Sequence, residues 1–186
     1  MNLVSIDSFE VGNTVNGFFL CKKKHIKTTR LGDTYLDLLL KDSTGTIRAK
    51  VWSNVDHFSN RFNEGDIIAA KGIIISYNDT NEINIKFIKA VIDDSYLEYG
   101  FSESLIFEEI SQSKEKLIKY IFLKIKSLDR KHSILLNKIY KSNLDKVESI
   151  PLPIEYYEKN GGYLLFIYQT LHLFEKIKSD YKELDY

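Results

Sequence analysis

Between Thr34 and Trp52 apolar residues occupy every second position, in two arms joined at Asp42-Ser43-Thr44-Gly45. In the first arm Leu36, Leu38 and Leu40 share one face and Tyr35, Asp37 and Leu39 the other. In the second arm Ile47, Ala49 and Val51 alternate with Arg48, Lys50 and Trp52. A period of two is that of a half-buried strand. The stretch therefore predicts a β-hairpin with one core face and one outer face, the latter holding an aromatic at each end and two cations between them.

The alternation recurs on both sides. Thr14 to about Lys24 reads as a strand with Val15, Phe19 and Cys21 on one side and Asn16, Phe18 and Leu20 on the other, bent at Gly17. Lys22 to Asp33, KKKHIKTTRLGD, reads as a loop. After the hairpin, Ser53 to Phe62 predicts a short helix, with Ser53 or Asn54 as N-cap and Val55, Phe58 and Phe62 at helical spacing. Glu64-Gly65-Asp66 turns into a fourth strand, Ile67 to Tyr77. A turn at Asn78-Asp79-Thr80-Asn81 leads to a fifth strand, in which Ile83, Ile85 and Phe87 alternate with Asn84, Lys86 and Ile88.

Near residue 95 the period changes to that of helices. These are expected from Glu103 to about Ser127, broken near Ser111, and from Lys131 to about Asn143. After a Pro151-Leu152-Pro153 elbow a final segment runs through Tyr181. Leu117, Ile118, Ile121, Ile125 and Leu128 form an apolar stripe that Ile134, Leu135, Ile139 and Tyr140 can cover. Tyr163 to Lys178 is apolar on most sides, which makes it either the most buried helix or one that a partner or a second copy covers. Asn160-Gly161-Gly162 before it is a break with conformational freedom.

Five strands with a helix between the third and fourth is the element order of the OB-fold, a small Greek-key barrel. The expected fold class is α+β: a five-stranded OB-fold β-barrel over residues 1–95, then a small all-helical region over residues 96–186.

Composition narrows the function. The 186 residues hold 26 basic and 26 acidic side chains, a net charge of zero, so attraction to a polyanion has to come from local patches. The single cysteine, Cys21, excludes an intramolecular disulfide and fits a reducing compartment, where it reads as a small buried hydrophobe. The opening MNLVSIDSFEVGN has no basic n-region, and no apolar run is long enough to span a bilayer. These features predict a cytoplasmic protein with no membrane partner.

The local patch lies where an OB barrel takes its ligand. Such domains stack bases on aromatic side chains of the sheet while basic groups follow the phosphates and the first loop closes over the strand. Lys22, Lys24, Lys27 and Arg30, with Lys23 and His25, load the first loop; Tyr35, Arg48, Lys50 and Trp52 line the hairpin's outer face; Tyr77 and Lys86 are rim contacts. Each has a plainer reading. A charge run also suits a solvated loop, Trp52 also suits a residue sealed by the following helix, and Asp37 either faces the groove or pairs with Arg48 or Lys50 across the hairpin.

The residues GFFLCKKKHIKTTRLGDTYLDLLLKDSTGTIRAKVW, then FNEGDIIAAKG and the strand pair from Tyr77 to Phe87, resemble the N-terminal OB domain of the YhaM-type 3′→5′ exoribonucleases. In that family the domain precedes a metal-dependent HD phosphohydrolase domain. The resemblance implies binding of RNA or single-stranded DNA by the barrel. The second half, with YYEKNGGYLLFIYQTLHLFEKI, is similar to the helices that begin the HD domain. It departs from them where metal chemistry sits. Tyr156 and Tyr157 stand where the family carries histidines, Phe166, Ile167 and Tyr168 follow the glycines in place of a ligand His, and the sequence reaches Tyr186 before the His-Asp dipeptide. Neither Tyr at neutral pH nor Phe replaces imidazole at a divalent metal. His25, His57, His132 and His172 are scattered without ligand spacing, and His172 reads as a helix-face or core residue in preference to a surviving ligand.

The sequence therefore predicts a non-catalytic binder of single-stranded nucleic acid, RNA before DNA, with no cofactor, no metal and no catalytic residues. The alternative is an assembly scaffold in which the barrel has lost its ligand and the last helix recruits a protein.

Overall fold

The computed structural model describes residues 3–92, 94–178 and 180–181. They form two compact units, Met1–Ile106 and Phe107–Tyr186. The division falls after residue 106, where the change of sequence period put it after residue 95.

In the first unit five strands close into a barrel: β1 (Thr14–Thr28), β2 (Thr34–Lys41), β3 (Thr46–Val51), β4 (Ile67–Tyr77) and β5 (Thr80–Ala90). Their order around it is β1-β2-β3-β5-β4, with β4 pairing back onto β1. Only β3 and β5 run parallel. A short helix α1 (Val55–Ser59) lies between β3 and β4, so the five-stranded OB-fold barrel expected from element order is the architecture observed. Phe19, Leu36, Leu38, Leu40, Ile68 and Ile74 are among the fully buried side chains filling it, with Phe58 and Phe62 in the same core. The alternating sequence folds this way because each second residue enters a closed interior while backbone groups are satisfied in the ladder. Asn78 and Asp79, both at positive φ, make the two-residue turn from β4 to β5.

Three expectations are corrected by the backbone. First, β1 does not end near Lys24: it continues to Thr28, paired with β2 as far as Thr28 opposite Thr34, so the predicted basic loop is mostly strand. Second, register shifts in the β1–β2 and β4–β5 ladders leave one extra residue each on β1 at Lys22 and on β5 at Lys86. Such bulges reverse the inward face. Phe87 consequently turns outward and Ile88 inward, opposite to strict alternation. Third, Glu103–Ser113 is not the first part of a helix. It holds a single 3-10 turn, Glu103–Leu105, and α2 begins at Lys114 behind the N-cap Ser113, whose hydroxyl accepts from the Lys116 N–H.

The second unit contains α2 (Lys114–Ser127), α3 (Arg130–Ser142), α4 (Leu144–Ser149) and α5 (Gly162–Ile177). Leu117, Ile121 and Ile125 of α2 meet Val147 of α4 and Leu164 and Leu165 of α5 in a small core. Gly161 and Gly162 are held rather than free. Gly161 sits at φ 85°, and a Cβ on Gly162 would lie 1.8 Å from the Tyr157 carbonyl oxygen. Beside them Asn160 is buried, its Oδ1 accepting from Lys114 Nζ at 2.8 Å and its N–H donating to the Glu108 carbonyl at 2.7 Å. Only the first turns of α5 are buried, while Phe166, Leu173, Phe174 and Ile177 remain exposed.

Candidate nucleic-acid interface

The barrel registers set an ordered array on the outer face of β1, β2, β3 and β5. Opposite Lys23, His25 and Lys27 of β1 stand Leu39, Asp37 and Tyr35 of β2. Arg48 and Lys50 of β3 lie beside Leu39 and Asp37, and Glu82 and Asn84 of β5 lie beside Arg48 and Lys50. One step beyond the end of β3, Trp52 meets Tyr35. The two rings stack with centroids 4.5 Å apart and planes 23° from parallel, and Trp52 keeps 45% of its surface exposed. The predicted pair of separate platforms is thus one aromatic slab. The β3–β5 register, carried one residue further, brings exposed Lys86 alongside it, and Lys27 borders it on the other side.

The cations on this face differ in what they already hold. Lys27 pairs with Asp37, whose hydrogen bond and charge hold the ammonium above its ordinary range. Asp37 was expected to pair with Arg48 or Lys50, yet Lys27 lies closer because β1 extends past the barrel alongside β2. Lys50, its side chain 14% exposed, is 2.7 Å from the carboxylate of Glu82, which is 4% exposed, and lies 4.3 Å above the Tyr77 ring. A buried carboxylate requires such a partner, since an unpaired one is strongly disfavoured in a low-dielectric interior. Lys50 is therefore a structural cation with limited reach, and Tyr77 is its cover.

Lys24 is also committed. Its ammonium donates to the carbonyls of Ser59 at 2.6 Å and Phe62 at 2.5 Å and sits 4.6 Å from the Phe62 ring. It ties β1 to the segment after α1 and does not face a ligand groove. Lys22 occupies the β1 bulge, half-buried, and Arg30 is exposed in the turn between β1 and β2. Lys23, His25, Lys27, Asp37, Leu39 and Arg48 surround a hollow of about 220 Å³. Among the described residues Lys23 and Arg48 have no carboxylate partner, which makes this hollow the part of the face with uncompensated positive charge.

Of the ten predicted residues, the structure gathers Lys27, Tyr35, Arg48, Trp52 and Lys86 on one open face. It assigns Lys24 and Lys50 to internal contacts. Sequence reasoning passed over Glu82, read as part of a solvated turn; only the parallel β3–β5 pairing reveals it as the partner of Lys50. Lys23 and His25 alternate with Lys24 along KKKHIK and are the members of that run that face the array.

In the helical unit His172 stacks on Tyr168, with centroids 5.8 Å apart and planes 5° from parallel, one turn away on α5. Tyr120 of α2 meets both rings edge-on. Among the described residues no three His, Cys, Asp or Glu side chains are grouped so as to hold a metal ion, and no helix is long and apolar enough to cross a membrane.

This geometry defines a class: residues 22–91 match the family of OB-fold nucleic acid binding domains. The chain is similar to the 3′-5′ exoribonuclease YhaM of Listeria monocytogenes serotype 4b, strain CLIP80459, with 30% identity over 137 residues. That match covers 70% of this chain and 42% of the relative, so the chain spans less than half of the relative's length. Solved structures with a similar fold include the second OB-fold domain of replication protein A from Methanococcus maripaludis, at 19% identity and a TM-score of 0.41 over 50% of this chain and 98% of that one. PriB from Ralstonia solanacearum is similar at 12% identity and a TM-score of 0.38, over 43% of this chain and 98% of that one.

Proposed function

We propose that the chain is a non-catalytic module that binds single-stranded nucleic acid, RNA in preference to DNA, through the outer face of its barrel. The observation that carries this reading is the exposed Tyr35–Trp52 slab with Lys27 and Lys86 beside it and the Arg48 and Lys23 hollow next to it. A base stacks on the slab and its flanking phosphates meet the cations. Because stacking is tolerant of base identity, binding is weakly sequence-specific and weakens as salt rises. Membership of residues 22–91 in a nucleic-acid-binding domain family and similarity to an RNA-degrading enzyme support this class of ligand.

In this reading the cytoplasmic chain divides its work between the barrel and a helical region, the latter resembling the beginning of an HD domain without its metal ligands. Fluorescence anisotropy of labelled single-stranded RNA and DNA oligonucleotides tests it. Tyr35→Ala is expected to lower affinity about tenfold, within the range of about 1 to 3 kcal/mol per stacked base. Unchanged affinity in that variant contradicts the site, and manganese-dependent loss of the RNA contradicts the non-catalytic assignment.

A second reading has its own observation. Phe166, Leu173, Phe174 and Ile177 leave an exposed apolar stripe on α5, as an assembly scaffold requires. Sedimentation that depends on concentration and reverts in Leu173→Ser supports self-association.

A further inference from the structure

A different face of the barrel, built by β1, β4 and β5, carries a second hollow that does not rest on the reading above. In register, Asn16 of β1 lies beside Lys71 of β4, and Lys71 beside Phe87 of β5. Phe18 lies beside Ala69. The backbones of Gly17 and Ala70 and the small side chain of Ala69 leave a floor between these larger neighbours, and Tyr96 and Tyr99 stand over it. Tyr96 is fixed edge-on to Phe18, centroids 5.9 Å apart. The hollow measures about 210 Å³, below the 300 Å³ at which sites for drug-sized ligands begin. It has room for one fused heterocycle.

Two polar groups break its apolar lining. The Oδ1 atom of Asn16 is buried and has no hydrogen-bond partner, a condition that disfavours the fold unless a donor is supplied. Exposed Lys71 stands at the mouth. A ring with flat faces, an N–H at its edge and an anionic substituent meets all three requirements. We propose that this hollow binds a single nucleobase of a mononucleotide, stacked among Phe87, Tyr96 and Tyr99, donating an N–H to Asn16 Oδ1 and placing its phosphate at Lys71.

The test is a chemical-shift titration of the full, ¹⁵N-labelled chain with AMP, GMP, CMP and UMP, and with adenosine. Saturable shifts are expected at Asn16 to Phe18, Ala69 to Lys71 and Phe87, and they persist in Trp52→Ala, which removes the slab on the other face. Ala69→Leu fills the hollow and lowers affinity at least tenfold. Asn16→Ala lowers it about threefold to tenfold, the worth of one hydrogen bond. Lys71→Ala weakens AMP about threefold and leaves adenosine unchanged. Should Ala69→Leu lose the native spectrum, Asn16→Ala and Tyr99→Ala decide the point. No shifts at millimolar nucleotide, shifts confined to the β2–β3 face, or equal affinity in the hollow variants overturn the proposal. Equal losses for AMP and adenosine in Lys71→Ala overturn the placement of the phosphate.

Discussion

At the scale of single residues, function turns on which side chains are already satisfied. Lys50 and Lys24 look like phosphate contacts in a list of cations, yet one neutralises the buried Glu82 and the other binds two carbonyls. Trp52 and Tyr35 are satisfied by each other on one face only, which leaves a flat aromatic surface for a base. Cys21 shows the same principle in the core. Burial pushes its thiol up to about 12, so the folded chain keeps the proton when the unfolded chain, ionising near the ordinary value of 9.0, gives it up. Because the folded state then binds more protons, this residue's contribution is intact below pH 9 and is lost as pH climbs toward 12. Urea denaturation at pH 7 and pH 10 is expected to show a larger loss of stability for the native sequence than for Cys21→Ala. Equal losses contradict the assignment.

At the scale of elements, the β1–β2 ribbon governs the interface. The inner face of the hairpin was legible because closure of the barrel forces every second residue inward, and Leu36, Leu38, Leu40, Ile47, Ala49 and Val51 obey it. The length of β1 was not legible: beyond Cys21 the strand leaves the core, no alternation is demanded, and KKKHIK reads as a loop. The bulges at Lys22 and Lys86 carry no compositional mark, so the outward turn of Phe87 was hidden as well. The candidate site was legible in its aromatics and only partly in its charges, since Asp37 and Glu82 reach their partners through pairings distant in sequence. The ribbon yields a prediction. Asp37→Asn releases Lys27 from its ion pair, so oligonucleotide affinity should rise and the logarithmic salt slope steepen by about 0.7, the value for one added phosphate contact on a single strand. An unchanged slope places Lys27 outside the interface.

At the scale of the whole molecule, the chain is two units with separate cores, and each fails or persists by its own contacts. The Asn160-Gly161-Gly162 turn illustrates this. A methyl group on Gly162 collides with the Tyr157 carbonyl, so Gly162→Ala should destabilise the helical unit by about 3 kcal/mol and leave oligonucleotide affinity unchanged, measurable by denaturation and anisotropy on the same sample. The central claim, that the barrel's outer face stacks single-stranded nucleic acid, has a built-in reporter. Trp52 is the only tryptophan in the sequence, and it lies in the proposed slab. Titrating the intrinsic fluorescence with an unlabelled single-stranded RNA should give saturable quenching that weakens with added salt and with Lys27→Ala or Lys86→Ala. Fluorescence that stays constant while the RNA is bound by an independent measure would show that the strand lies elsewhere.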